Sequence, residues 1–193
     1  ELPGLGRQID ERHVPAVRLR AQHRAAELQR LRALYQDIDI HANPILEGYH
    51  ILHDRIGVKR RKNIPASENL IRLLEKRGDL PFINQAVDIY NLLSLESKLT
   101  LGAHDIDRTE GDVTLRFTDG TERFVPIGQT ESTEVAPHEY CYCDDANEVL
   151  CRLEIRQVNK TAVDENAVNV FYIVQGNEAT PDELLTETAQ RII

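Results

Sequence analysis

Residues 113–127, Val-Thr-Leu-Arg-Phe-Thr-Asp-Gly-Thr-Glu-Arg-Phe-Val-Pro-Ile, decide the fold class. Val113, Leu115 and Phe117 alternate with polar neighbours, the two-residue period of a half-buried strand. Asp119-Gly120 then offers a turn able to take positive φ, and Phe124 to Ile127 returns, so the stretch predicts a β-hairpin. Upstream the period is helical. From Val14 to Tyr35, residues Val17, Ala21, Ala25, Leu28, Leu31 and Leu34 recur at three and four, with Pro15 suited to the first turn. The chain breaks at Asn43-Pro44, and a shorter helix follows through Tyr49, Leu52 and Ile56 to Gly57. Ser67 is placed to cap a helix with Leu70, Leu73 and Leu74 on its apolar side and Gly78 at its end. A further helix runs from Pro81 to about Ser94. Downstream, strands are expected at Glu139 to Cys143, Val149 to Val158 and Asn169 to Val174. Thr180-Pro181-Asp182-Glu183 reads as a capping box that starts a C-terminal helix. Helices first and strands later predict an α+β class. The expected partition is one domain over 1–193: an N-terminal helical region (1–57), a core (58–176) and a C-terminal helix (177–193).

The composition narrows the function classes. The chain has 193 residues, 41% hydrophobic and 28% charged, which suits one self-folding globular domain. No apolar run approaches the roughly 18 residues of a membrane span, so no membrane association is expected. Three cysteines are too few for a disulfide framework, and the expected compartment is the reduced cytoplasm. Charge is uneven: residues 1–77 carry +5 and residues 78–193 carry −14, for a net −9. The acidic half argues against sequence-blind binding along a nucleic acid, and DNA is not expected as a partner. The basic cluster Arg55, Lys59, Arg60, Arg61 and Lys62 is the place for a local phosphate contact, or else a set of solvated loop cations.

Gly-rich phosphate loops, His-Glu-x-x-His, Gly-x-Ser-x-Gly and paired Cys-x-x-Cys are all absent, which removes most of the case for kinases, zinc proteases, α/β-hydrolases and zinc ribbons. Cys141 and Cys143 would share one face of a strand, with Cys151 beside them. Core packing is the favoured reading, and neither metal nor cofactor is expected. His13, His23, His41, His50 and His53 show no ligand spacing. Gly102-Ala-His-Asp-Ile-Asp107 stands apart, because two acids, a histidine and a glycine sit between a buried helix and a hairpin. A carboxylate with a histidine can orient a water, but Asp105 and Asp107 can equally cap turns or pair with Arg116 and Arg152.

Read together, several segments resemble one family: Arg61-x-x-Ile-Pro-Ala-Ser-Glu-Asn-Leu70, Asp79-Leu-Pro-Phe-Ile-Asn84, Val87-Asp-Ile-Tyr-Asn91, Gly102-Ala-His-Asp-Ile-Asp107, Pro126-Ile-Gly128, His138-Glu139 and Cys151-Arg152. They are similar to the tRNA-binding and editing module of the phenylalanyl-tRNA synthetase β chain, the B-three/four domain, in its free-standing form. The resemblance covers roughly residues 14–176 and is most specific from Asp79 to Asp107. It implies an α+β fold with a pocket between sheet and helices, in which a mischarged aminoacyl-tRNA ester is hydrolysed. Asn91 matches the pocket asparagine, and Asp105 and Asp107 match an Asp-x-Asp pair. The synthetase's pocket histidine falls on Gly102, with His104 two positions on, and its glutamate falls near Ile173. Glu139 stands in for that glutamate. The resemblance therefore implies catalytic roles for Glu139, His104 and Asn91, substrate contacts from Gly102, Asp105 and Arg152, and tRNA phosphates on the cluster from Arg55 to Lys62. The module carries no ligase domain, so ligation is not expected. The competing readings are an RNA-binding module without chemistry and a pocket for a free amino-acid-like molecule. Salt-dependent tRNA binding separates the last from the others, and turnover separates the first two.

Overall fold

A computed structural model describes the backbone of residues 14–192 and the side chains from residue 23 onward. His13 and the side chains of Val17 and Ala21 lie outside the described residues. The order is α1 (Val14–Tyr35), α2 (Pro44–Arg55), α3 (Ala66–Arg77), α4 (Gln85–Ser97), β1 (Thr100–Asp105), β2 (Thr114–Phe117), β3 (Tyr140–Cys143), β4 (Val149–Arg152), β5 (Arg156–Gln157), β6 (Val170–Gln175) and α5 (Asp182–Ile192). This is the α+β class, with the helices first. Among the described residues no helix is long and apolar enough to cross a membrane.

The strands form two antiparallel sheets, β1 with β6 and the meander β2-β3-β4-β5. The helical half has its own core, in which Leu28, Leu31 and Tyr35 of α1 meet Leu46 of α2, Ile71 and Leu74 of α3, and Leu95 of α4. The meander buries Phe124, Cys141, Cys143, Val149, Leu150 and Val158. A third cluster, Leu93, Leu99 and Leu101 with Val174, Leu184 and Leu185, packs α4 and α5 on the two-stranded sheet. Burial lifts the Cys141 thiol to about 12 and the Cys143 thiol to about 11, so both remain neutral in the sheet core.

Local chemistry explains the boundaries. Asn43 caps α2 with its side-chain oxygen, which accepts from Ile45 and Leu46 N–H at 3.2 Å. Gly78 ends α3 in the left-handed region. Four expectations are corrected. Ser67 does not cap α3; Pro65 occupies the cap position, its carbonyl takes the Asn69 N–H (2.9 Å), and Ser67 lies buried inside the helix. The helix expected from Pro81 begins later, because Asn84 is extended and accepts the Val87 N–H (2.9 Å). The hairpin across Asp119-Gly120 does not form: β2 pairs with β3, Thr114 opposite Cys143 and Phe117 opposite Tyr140. The Glu122 carboxylate instead takes the Asp119 and Gly120 N–H groups (3.1 and 3.0 Å) and Arg116 (2.5 Å), which closes the turn on itself while Phe124 enters the core. Finally, the strand expected over Val149 to Val158 is interrupted after Arg152. At the C-terminal helix, the Thr180 hydroxyl accepts from Asn177 N–H (3.0 Å), so it serves the turn before α5.

The two-stranded sheet is tied to the helices by Tyr49. Its buried hydroxyl donates to the Gln175 carbonyl (2.5 Å) and accepts the Thr100 N–H (2.9 Å), joining α2 to the end of β6 and the start of β1. Tyr49→Phe leaves a buried donor without its acceptor and a carbonyl without its donor, so stability is expected to fall by about 1–3 kcal/mol. Urea unfolding with an unchanged midpoint would contradict this clamp.

Candidate functional site

One cavity of about 410 Å³ lies where α3, α4, the two-stranded sheet and the β4–β5 turn converge. The pairing of β1 and β6 sets one wall. Thr100 lies opposite Gln175, Gly102 opposite Ile173 and His104 opposite Phe171. Successive side chains of a strand alternate faces, so Thr100, Gly102, His104, Ile173 and Gln175 line one side. Asn91 and Tyr90 of α4, Asn69 of α3, and Cys151, Glu154, Arg156 and Gln157 of the meander complete the polar lining.

Of the candidate residues, the structure brings Asn91, Gly102 and His104 to this cavity. The side-chain amide of Asn91 has no hydrogen-bond partner among the described residues. At Gly102 a Cβ would meet Gln157 Nε2 at 2.7 Å, so the missing side chain is what lets the Gln157 amide approach the strand. His104 is 1% exposed; its Nδ1 shares a hydrogen bond with Thr161 Oγ1 (2.7 Å) and its ring stacks on Phe171. Its Nε2 is buried and has no protein partner, so this lining residue keeps one spare hydrogen-bonding position. Burial holds the imidazole pKa down to about 4, so the ring is neutral at physiological pH.

Glu139, Asp105 and Arg152 are not brought there. Glu139 Oε1 accepts the Ala136 N–H (2.7 Å), and its other oxygen pairs with Arg152 Nε (3.3 Å). Arg152 also bonds the Glu134 carbonyl and lies over the Phe124 ring, on the strand face opposite to Cys151. Asp105 accepts the Asp107 N–H (3.1 Å) and pairs with Arg108 (3.0 Å), while Asp107 holds Asn169. Asp105 is a turn cap, Asp107 binds a side chain, and their partners are Arg108 and Asn169, not Arg116 and Arg152. The basic cluster divides as well. Arg60 is bound by Asp54 (2.5 Å) and Glu47 (2.9 Å), and Arg55 by Glu178 (2.5 Å). Lys59, Arg61 and Lys62 are exposed and carry no ion pair among the described residues.

Four lining residues escape a reading of the sequence: Glu154, Arg156, Gln157 and Gln175. No motif marks them, and Glu154 finds its partner, His53, 101 positions away.

A family model for the B3/4 domain matches residues 53–190. The chain belongs to the B3/4 domain family. This is the domain found in the phenylalanyl-tRNA synthetase β chain, and the chain is a relative of it. The match begins at His53, so α1 and most of α2 precede the matched span, against the wider coverage from residue 14 that the motifs suggest. No curated protein sequence matches the chain significantly. Gly102 and Ile173 face each other across the strand pair. Both lack a functional group, and the polar groups stand two residues along each strand, at His104 and Gln175.

A histidine whose folded pKa lies near 4 binds its proton less readily than the unfolded one at 6.5, so the unfolded chain holds more protons between those values. Acidification through that window destabilises the fold, by about 2 kcal/mol from this group between pH 7 and 5. His104→Gln should remove that share of the pH dependence in urea unfolding. An identical loss on acidification in both proteins would contradict the assignment.

Proposed function

We propose that the chain binds the acceptor end of tRNA and hydrolyses a mischarged aminoacyl ester in trans. The observation that carries this reading is the cavity itself, walled by the paired strands and lined by Asn91, whose amide is unpartnered among the described residues, and by His104, whose Nε2 is spare. The family's link to a tRNA synthetase supports the same direction. In the reaction a water oxygen forms a bond to the ester carbonyl carbon, the acyl–oxygen bond to the ribose breaks, and the water's proton ends on the ribose oxygen. The products are free amino acid and tRNA. Asn91 and His104 hold the water and the carbonyl in line, and the neighbouring ribose hydroxyl assists, so a strong base is not required. A neutral His104 fits this positioning role. Gly102 lets the Gln157 amide close onto β1 at the cavity wall. Glu139 and Arg152 act outside the cavity, holding the loop around residues 134–139 on β4.

The phosphates of the acceptor stem meet Lys59, Arg61 and Lys62, whose charges are free, whereas Arg55 and Arg60 are already neutralised by acids. Each phosphate contact adds about 0.7–0.9 to the slope of log affinity against log salt. The double change Arg61→Glu and Lys62→Glu should weaken tRNA binding and flatten that slope, while Arg55→Gln and Arg60→Gln should do so far less. A reversed order of effects would contradict this surface.

Hydrolysis is tested with a panel of mischarged aminoacyl-tRNAs at substoichiometric protein. Multiple turnover of one or a few species is expected, with Asn91→Ala slowing it about 10- to 100-fold and leaving tRNA affinity unchanged. Salt-sensitive tRNA binding without any turnover would overturn the hydrolytic reading and leave an RNA-binding module.

A further inference from the structure

The turn between β4 and β5 carries a backbone cost. Leu153 is buried, yet sits at φ +50°, in the left-handed region that branched side chains rarely occupy. The effect of that turn is to set Glu154 into the molecule, with its side chain only 3% exposed, between α2 and the end of β6. One carboxylate oxygen contacts Nε2 of the fully buried His53, and the other accepts from Gln175 Nε2 (3.2 Å). Gln175 is oriented in turn, since its Oε1 accepts the Tyr142 hydroxyl (3.0 Å) and so directs the amide nitrogen toward Glu154. The carboxylate is thus fixed in place, and a carboxylate has about four lone-pair sites, of which these bonds use two.

Glu154 is also a cavity-lining residue, and among the described residues it is the only carboxylate that is. The other permanently charged side chain of the lining, Arg156, is exposed to solvent. A buried carboxylate with unused lone pairs favours a ligand that brings both positive charge and several donors. We propose that Glu154 anchors the ammonium group of the ligand, so that the cavity accepts compounds with a free primary amine and rejects their N-acylated forms. Resting on the function proposed above, that amine is the α-amino group of the aminoacyl ester, and N-blocked esters such as peptidyl or formylated ones are excluded. His53 and Gln175 are positioning residues for the carboxylate.

The probes are amide-linked aminoacyl-adenosines, which resist hydrolysis, each with a free and an N-acetylated amine, together with the corresponding free and N-acetylated amino acid amides. Calorimetry on the wild-type chain should show the free-amine adenosine probe binding about tenfold or more tightly than its acetylated partner. Glu154→Gln, which keeps the shape, should bind the two forms within about twofold of each other. Equal affinities in the wild type, which needs no variant to fold, would overturn the proposal, as would a preference that survives in Glu154→Gln. If the amino acid amides show the preference while the nucleoside adds no affinity and no aminoacyl-tRNA is hydrolysed, the anchor stands and the tRNA reading fails. Hydrolysis of N-acetylated and free aminoacyl-tRNA at equal rates would leave the tRNA reading standing and overturn the anchor. Absence of binding by every probe would overturn both.

Discussion

The antiparallel pairing of β1 with β6 is the constraint on which the site depends. It joins residues 100–105 to residues 170–175, and its register puts Gly102 against Ile173 and Thr100 against Gln175. Because side chains alternate along a strand, a slip of one residue would turn His104 and Gln175 away from the cavity. The pair has only two strands, which is marginal alone. It is held by packing of α4 and α5 through Leu93, Leu99, Leu101, Val174 and Leu184, and by the Tyr49 hydroxyl at the end where both strands meet α2. Along the other edge of β1, the Asp105 N–H reaches the Thr161 carbonyl (2.9 Å), so the segment after β5 closes the wall.

The residues that carry the family resemblance mostly build this frame. Arg24 of α1 binds Asp79 (2.9 Å), Asp88 (2.8 Å) and the Leu80 carbonyl, fastening the first helix to the start of α4. Asn84 caps α4 through one side-chain atom and reaches the Val163 carbonyl with the other (2.9 Å). Asp105 caps the turn that ends β1. Only Asn91, Gly102 and His104 of the candidate site residues reach the cavity. A motif can therefore identify the family while saying little about the chemistry of this member, since its polar residues satisfy caps and ion pairs first.

The same distinction explains what can be read from the chain. Period and punctuation locate α1 to α4 and the α+β order, because apolar spacing, Asn43 and Gly78 act within a few residues of themselves. The Cys141 and Cys143 thiols are also legible, since a shared strand face in an apolar stretch is a core pattern. The hairpin at Asp119-Gly120 misleads because Glu122, two residues on, satisfies the turn and frees β2 to pair with a strand 23 or more positions away. Ser67 misleads because Pro65 has already started the helix. Glu154 leaves no signal at all: its meaning depends on His53 and Gln175, and such contacts across the chain appear only once the sheets are assembled.

The most direct test of the account is a ¹H–¹⁵N titration of the intact chain with an amide-linked aminoacyl-adenosine. Shifts concentrated on residues 100–104, 153–157 and 173–175 and on the Asn91 side-chain amide are predicted, with none on the loop around Glu139. Saturable shifts confined to another surface, or no shift at millimolar ligand, would contradict the claim that the β1–β6 cavity is the binding site.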